Sequence, residues 1–157
     1  MTPRYGRCGI GKRLIGHAPF GHWKTTTFVA ALRHDRLTAP AVFDGAINGE
    51  KFAAYIEQEL VGTLRPGDIV IMDNLSAHKR AAVKVAIEAA GAELRFLPPY
   101  SPDLDPIEQA FAKFKSILRK LARRTLEGLW SACAIATEEI QPSDCRNFFS
   151  HSGYGCA

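Results

Sequence analysis

A chain of 157 residues, 46% hydrophobic and 23% charged, has the size and composition of one compact domain. It contains no apolar run of about 18 residues, and its basic start, MTPRYGRCGIGKRLIG, lacks the apolar core of a secretory signal. No membrane span and no secretory signal are read here, a cytoplasmic address is expected, and the net charge of +4 admits an anionic partner without requiring one.

Residues 1 to 22 are Gly- and Arg-rich and weakly patterned. The GIGK at 9–12 has neither the preceding strand, nor the spacing, nor the Ser/Thr of a phosphate loop. Residues 24–33, KTTTFVAALR, are β-branched and apolar and predict a strand. Residues 34–40 hold turn formers, and 41–47 read as a second strand completing a hairpin. Asp44, beside Gly45, is expected at a bulge or strand end.

Asn48 should cap a helix over 48–64, with Phe52, Tyr55, Ile56 and Leu60 on one apolar face. Residues 65–67 form a turn. The run IVIM within 68–74, bounded by acids, suits a strand buried on both faces. Asp73 then sits where that strand leaves the sheet, the end at which open α/β sheets gather ligands.

An Ala-rich helix is predicted over 76–90, stopped by Gly91, then a strand over 93–97 and a rigid extended link over 98–102. Asp105 is a good N-cap and Pro106 a good first helical residue. Ile107, Phe111, Phe114, Leu118 and Leu121 make the apolar stripe of the next helix, and Glu108, Lys115 and Arg119 share one flank of it. A helix over 125–140 turns Leu126, Leu129, Trp130 and Cys133 inward, a short helix begins at Pro142, and the tail HSGYGCA is expected to fray. Neither repeat nor linker appears, so the whole of 1–157 reads as one domain.

Asp73 and Glu108 are the residues on which chemistry would rest. Both are hard oxygen donors placed at one end of a sheet, as Mg²⁺-assisted phosphoryl transfer requires, although that chemistry usually draws on three acids. Structural roles compete. Asp73 at a strand end can cap the next helix, and Asp105 with Glu108 three residues on forms a variant capping box. Asn74 can brace the turn, while His78 on the following helix reads as a surface or packing residue. Lys113, Lys115, Arg119, Lys120, Arg123 and Arg124 lie in a stretch without acids, either a solvated helix face or a grip for phosphates. Cys8, Cys133, Cys145 and Cys156 have no CxxC spacing and read as free thiols, and the five histidines form no metal box.

DNLSAHK at 73–79 followed by PPYSPDLDPIEQAFAKFK resembles the mariner-related bacterial insertion-sequence transposases of the DDE superfamily. The resemblance extends back through GHWKTTTFVAALR and VFDGAINGEKF and forward through LWSA and NFFSHSGY, which is nearly the whole chain. It implies an α/β, ribonuclease-H-like mixed sheet flanked by helices, with a core over about 24–122 and C-terminal helices over 125–149. It makes Asp73 the second catalytic acid and Glu108 the third, both ligands of Mg²⁺ or Mn²⁺. The implied activity is DNA transposition, in which element ends are cut with water and the freed 3′-hydroxyl is joined to target DNA. The implied partners are double-stranded DNA at element ends and target, and a homodimer is allowed.

The sequence also departs from the family. No apolar strand ending in Asp precedes Lys24, so the first acid and its central strand are not found, and Asp105 stands where the family usually has Asn. The expectation is an N-terminally truncated or split transposase catalytic domain, weak or inactive alone, whose missing part is supplied by an upstream-frame product. The alternative is a non-catalytic DNA-binding or regulatory remnant.

Overall fold

The β-branched and aromatic run expected as the first strand folds as β1, Thr26–Leu32, and pairs antiparallel with β2, Leu37–Asp44. The computed structural model describes residues 5–15 and 25–155, so Lys24 and Cys156 lie outside the described residues. β2 starts four residues earlier than the turn formers predict. Ala39 takes a left-handed backbone (φ 48°), and the register slips between Val29 and Ala31, so that Ala39 and Pro40 oppose Ala30 alone. The bulge lets the strand carry a proline that cannot donate to the ladder. Asp44 closes the strand, and Gly45 follows at φ 88°.

Asn48 caps α1, Gly49–Tyr55, accepting from the Lys51 amide at 2.9 Å. The helix continues as a π turn over Ile56–Leu60 and a 3₁₀ turn over Val61–Thr63. The Tyr55 hydroxyl donates to the Ala39 carbonyl at 2.8 Å, so the helix is tied to the bulge. β3 is Ile69–Met72, α2 is Ala81–Ala89, and β4, Glu93–Phe96, returns parallel to β3 in the register Ile69 to Glu93 through Met72 to Phe96. Gly91 ends this crossover at φ 78°, where a side chain would also press on Pro66 at 3.3 Å.

Three longer helices follow: α3, Pro106–Leu121; α4, Leu126–Glu138; and α5, Pro142–His151. The two faces of the hairpin separate the interior into two cores, as strand alternation demands. On one face Phe28, Ala30 and Leu32 pack against Phe114, Ile117, Leu118, Cys133 and Cys145 of the C-terminal helices. On the other, Val29 and Ala31 pack with Phe52, Ile56, Val83 and Ile87. Phe28 stacks on Phe114 with ring centroids 4.2 Å apart.

Several expectations are corrected. β3 is not buried on both faces: Ile69 is 50% exposed and Ile71 40%. The cause is that, among the described residues, β1–β2 and β3–β4 form two separate two-stranded sheets. The helix after Asp73 starts at Ala81 rather than 76, because the preceding residues form turns. The link over 98–102 is not uniformly extended, since Tyr100 is left-handed (φ 58°) and Pro102–Leu104 make a 3₁₀ turn. Leu126 and Trp130 stay exposed, and the inner face of α4 is Ala132, Cys133 and Ala136, small residues that admit close helix approach. The tail docks: Ser152 is buried and bonds Gln109, while the Tyr154 hydroxyl donates to the Leu104 carbonyl at 2.8 Å. Cys8, Cys133 and Cys145 are free thiols, and burial raises the pKa of the latter two. Among the described residues no helix is long and apolar enough to cross a membrane.

Candidate active site

Among the described residues β1 and β3 each bond one neighbouring strand, and both border one groove of about 570 Å³. Its walls are largely apolar, with Phe28, Ala30, Leu32, Val70 and Met72 from the strands and Ile107 and Phe111 from α3. Ile107 and Phe111 are only partly buried, because the core stripe of α3 runs instead through Ala110, Phe114, Ile117 and Leu118. The predicted stripe thus divides, one part facing the core and the other the groove.

The carboxyl end of β3 makes the acidic end of this groove. Asp73, Asp105, Glu108 and His78 all border it. Asp73 is just past the last residue of β3, and its Oδ1 accepts from the Leu75 amide at 3.0 Å. Asn74 donates its side-chain amide to the Leu97 carbonyl, which pins the turn to the end of β4. Glu108 is exposed in the first turn of α3. The capping box that competes for it does not form: the Asp105 side chain approaches the Ile107 amide but makes no aligned cap bond.

Asp105 is freed for the groove. Its pKa lies above the ordinary carboxylate value, first because it is half-buried and then because the charges of Glu108 and Asp73 oppose its ionisation. Both predicted acids therefore act electrostatically on one carboxyl, though they come from separate elements. Among the described residues, however, no three His, Cys, Asp or Glu side chains are gathered tightly enough to hold a metal ion outright. For a hard cation that retains most of its waters, two carboxylates at a groove end are a fitting donor set but a sparse one.

The opposite end of β3 is closed. Asp68 accepts both guanidinium nitrogens of Arg33, at 2.8 and 2.9 Å, and the Arg65 amide at 2.8 Å. These bonds hold the Asp68 carboxyl below its ordinary pKa, and they clamp the end of β1 to the start of β3 across the groove.

The basic stretch is dispersed by the fold. Lys115, Lys120, Arg123 and Arg124 are exposed and Arg119 is partly buried. Lys113 is ion-paired with Asp144 of α5, an interaction that joins the two helices. Sequence reasoning passed over two residues at the acidic end. Asp105 carried a signal, an acid at a cap position where Asn is usual. His78 carried one in its DNxxxH spacing, but it was placed on a helix that starts later.

The family model described as DDE superfamily endonuclease matches residues 1–129. Among curated proteins none matches the sequence. The fold is similar to that in the crystal structure of the Mos1 strand transfer complex, with a TM-score of 0.73 at 17% identity, covering 94% of this chain and 46% of that one. It is also similar to the Mos1 transposase paired-end complex with left transposon end, with a TM-score of 0.51 at 17% identity, covering 96% of this chain and 51% of that one. The chain thus spans about half the length of these solved chains.

Proposed function

The chain belongs to the DDE superfamily endonucleases, and from that premise we propose that it is the catalytic part of a DNA transposase whose active centre is the acidic end of the groove. What supports this reading is that Asp73, just past the carboxyl end of a parallel strand, and Glu108, in the first turn of α3, border the same groove, and that among the described residues no arginine or lysine is ion-paired to either. Asp73 and Glu108 would hold Mg²⁺ or Mn²⁺. The bound ion would polarise the scissile phosphate and activate the attacking oxygen. The chain's own part is to fix two oxygen donors on rigid elements: Asp73 by its turn, Glu108 by a helix seated on the hairpin.

Such a centre calls for a third acid. Among the described residues β1 and β3 each pair with a single strand, so a further extended strand beside them would cover Ile69 and Ile71 and bring a residue at its carboxyl end toward Asp73. The cations on and after α3 would track duplex DNA at element ends and target. A bacterial cytoplasm, with the nucleoid as substrate, is the setting this implies. Whether two copies pair belongs to the same proposal, since bringing two element ends together calls for two active centres.

The test is cleavage of element-end DNA with Mg²⁺. Asp73→Asn and Glu108→Gln should each reduce cleavage to background while DNA binding persists; unchanged cleavage in either rejects the assignment. The second reading, a non-catalytic DNA-binding remnant, draws on the absence of a three-member ligand group among the described residues. Salt-sensitive binding without cleavage, with no acid-bearing strand encoded upstream, would establish it.

A further inference from the structure

His78 does not lie on a helix. It lies in the turn over 76–79 that follows Asp73, its amide donates to the Leu75 carbonyl at 3.0 Å, and its Nδ1 stands 2.6 Å from Asp73 Oδ1. The same Oδ1 receives the Leu75 amide. One oxygen of the carboxylate is thus taken by two nitrogens, and no described residue bonds the other.

The imidazole is itself held. Its ring lies against Phe52 with centroids 4.4 Å apart and planes at 34°, and Phe52 is buried in the core beneath α1. Nδ1 is buried, and the carboxylate reaches it off the line of an ideal hydrogen bond, with no better partner for that nitrogen. Only a ring nitrogen close to Cβ on a flat side chain can both stack on Phe52 and touch Asp73. A lysine would overreach and carry its hydration into the turn.

We infer that His78 is a positioning residue for Asp73: its Nδ1, fixed by the stack on Phe52, engages Oδ1 and leaves Oδ2 as the oxygen offered to a divalent cation. The inference rests on the metal-site reading of Asp73 proposed above. Partners behind a ligating carboxylate fix its direction, and their loss commonly weakens metal affinity by about 10- to 100-fold.

The test uses this chain, Mn²⁺ as the probe and two readouts. Electron paramagnetic resonance of free Mn²⁺ gives the affinity of the wild type and of Asp73→Asn, His78→Leu, His78→Asn and His78→Gln. Long-range proton–nitrogen NMR in alkaline buffer gives the tautomer of His78. The wild type should carry its proton on Nδ1, and Asp73→Asn should release it toward Nε2. His78→Leu, which keeps the packing on Phe52, should weaken Mn²⁺ binding by about tenfold at unchanged Tm. His78→Asn, whose amide nitrogen occupies the place of Nδ1, should restore affinity to within about threefold, and His78→Gln, whose nitrogen lies farther out, should not.

If His78→Leu fails to fold, the contrast between Asn and Gln decides alone. Wild-type affinity in both His78→Leu and His78→Gln, or an Nε2–H tautomer indifferent to Asp73→Asn, overturns the inference while Asp73→Asn still lowers affinity. A wild type that binds no Mn²⁺, or an Asp73→Asn variant that binds it unchanged, overturns the metal site and this inference together.

Discussion

Asp68 and Asp73 bracket the same short strand, and their surroundings are opposite. Asp68 meets a guanidinium in two-point contact and a backbone amide, so its charge is spent on joining the two sheets. Asp73 meets one amide and an imidazole, with two more carboxylates lining its groove and, among the described residues, no arginine or lysine paired to it. A carboxylate that stabilises the fold carries its own counter-charge. One without such a partner is, on the function proposed above, left for a cation supplied from solution.

The widest separation between the two ends should appear in cleavage. On the function proposed above, Asp68→Asn should leave Mg²⁺-dependent cleavage of element-end DNA intact, whereas Asp73→Asn should remove it; equal losses would dissolve the distinction. Stability should report the reverse. Arg33→Leu leaves the Asp68 carboxylate partly buried without its partner and should cost about 1–3 kcal/mol in urea unfolding.

That difference should depend on pH with a definite sign. The Asp68 pKa is lowered in the folded chain by the Arg33 hydrogen bonds, so its contribution is complete above the unfolded carboxylate pKa of about 3.9 and disappears as pH falls through the lower folded value. Wild type and Arg33→Leu should therefore converge in strong acid, and a gap that persists there would assign the loss to packing instead.

At the other end, Asp105→Asn removes a carboxyl that burial, Glu108 and Asp73 all disfavour as an anion, and it should raise the Tm of the metal-free chain at neutral pH. A lower Tm would mean that the Asp105 carboxylate is a needed helix cap after all. The smallest effect is electrostatic and distant. Lys115→Gln and Lys120→Gln should each flatten the salt dependence of duplex binding by about 0.9 in the slope of log K against log salt, if each meets one phosphate. Lys113→Gln should instead act on stability, since its ammonium is engaged by Asp144.

Much of this was legible from residues alone. Local patterns gave the hairpin, the Asn48 cap, the stop at Gly91, the Pro106 start of α3 and the candidate pair Asp73 and Glu108. The misses have particular causes. Pro40 reads as a turn former, and only a bulge opposite Ala30 lets it stay in a strand. Trp130 and Leu126 were placed inward by hydrophobicity, but the contact between α3 and α4 selects small side chains. The tail looked polar and loose, yet Ser152 and Tyr154 find partners on α3 and the turn before it, elements nearly fifty residues earlier.

The sequence by itself determined the family and the order of strands and helices, because motifs and periodicities are written in neighbours a few residues apart. Tertiary structure alone decided that β1 and β3 border one groove, that Arg33 pairs with Asp68 between them, and that His78 and Asp105 line that groove together with Asp73 and Glu108. Those outcomes depend on distances between elements far apart in the chain. No local periodicity encodes such distances, and only packing against the two cores sets them.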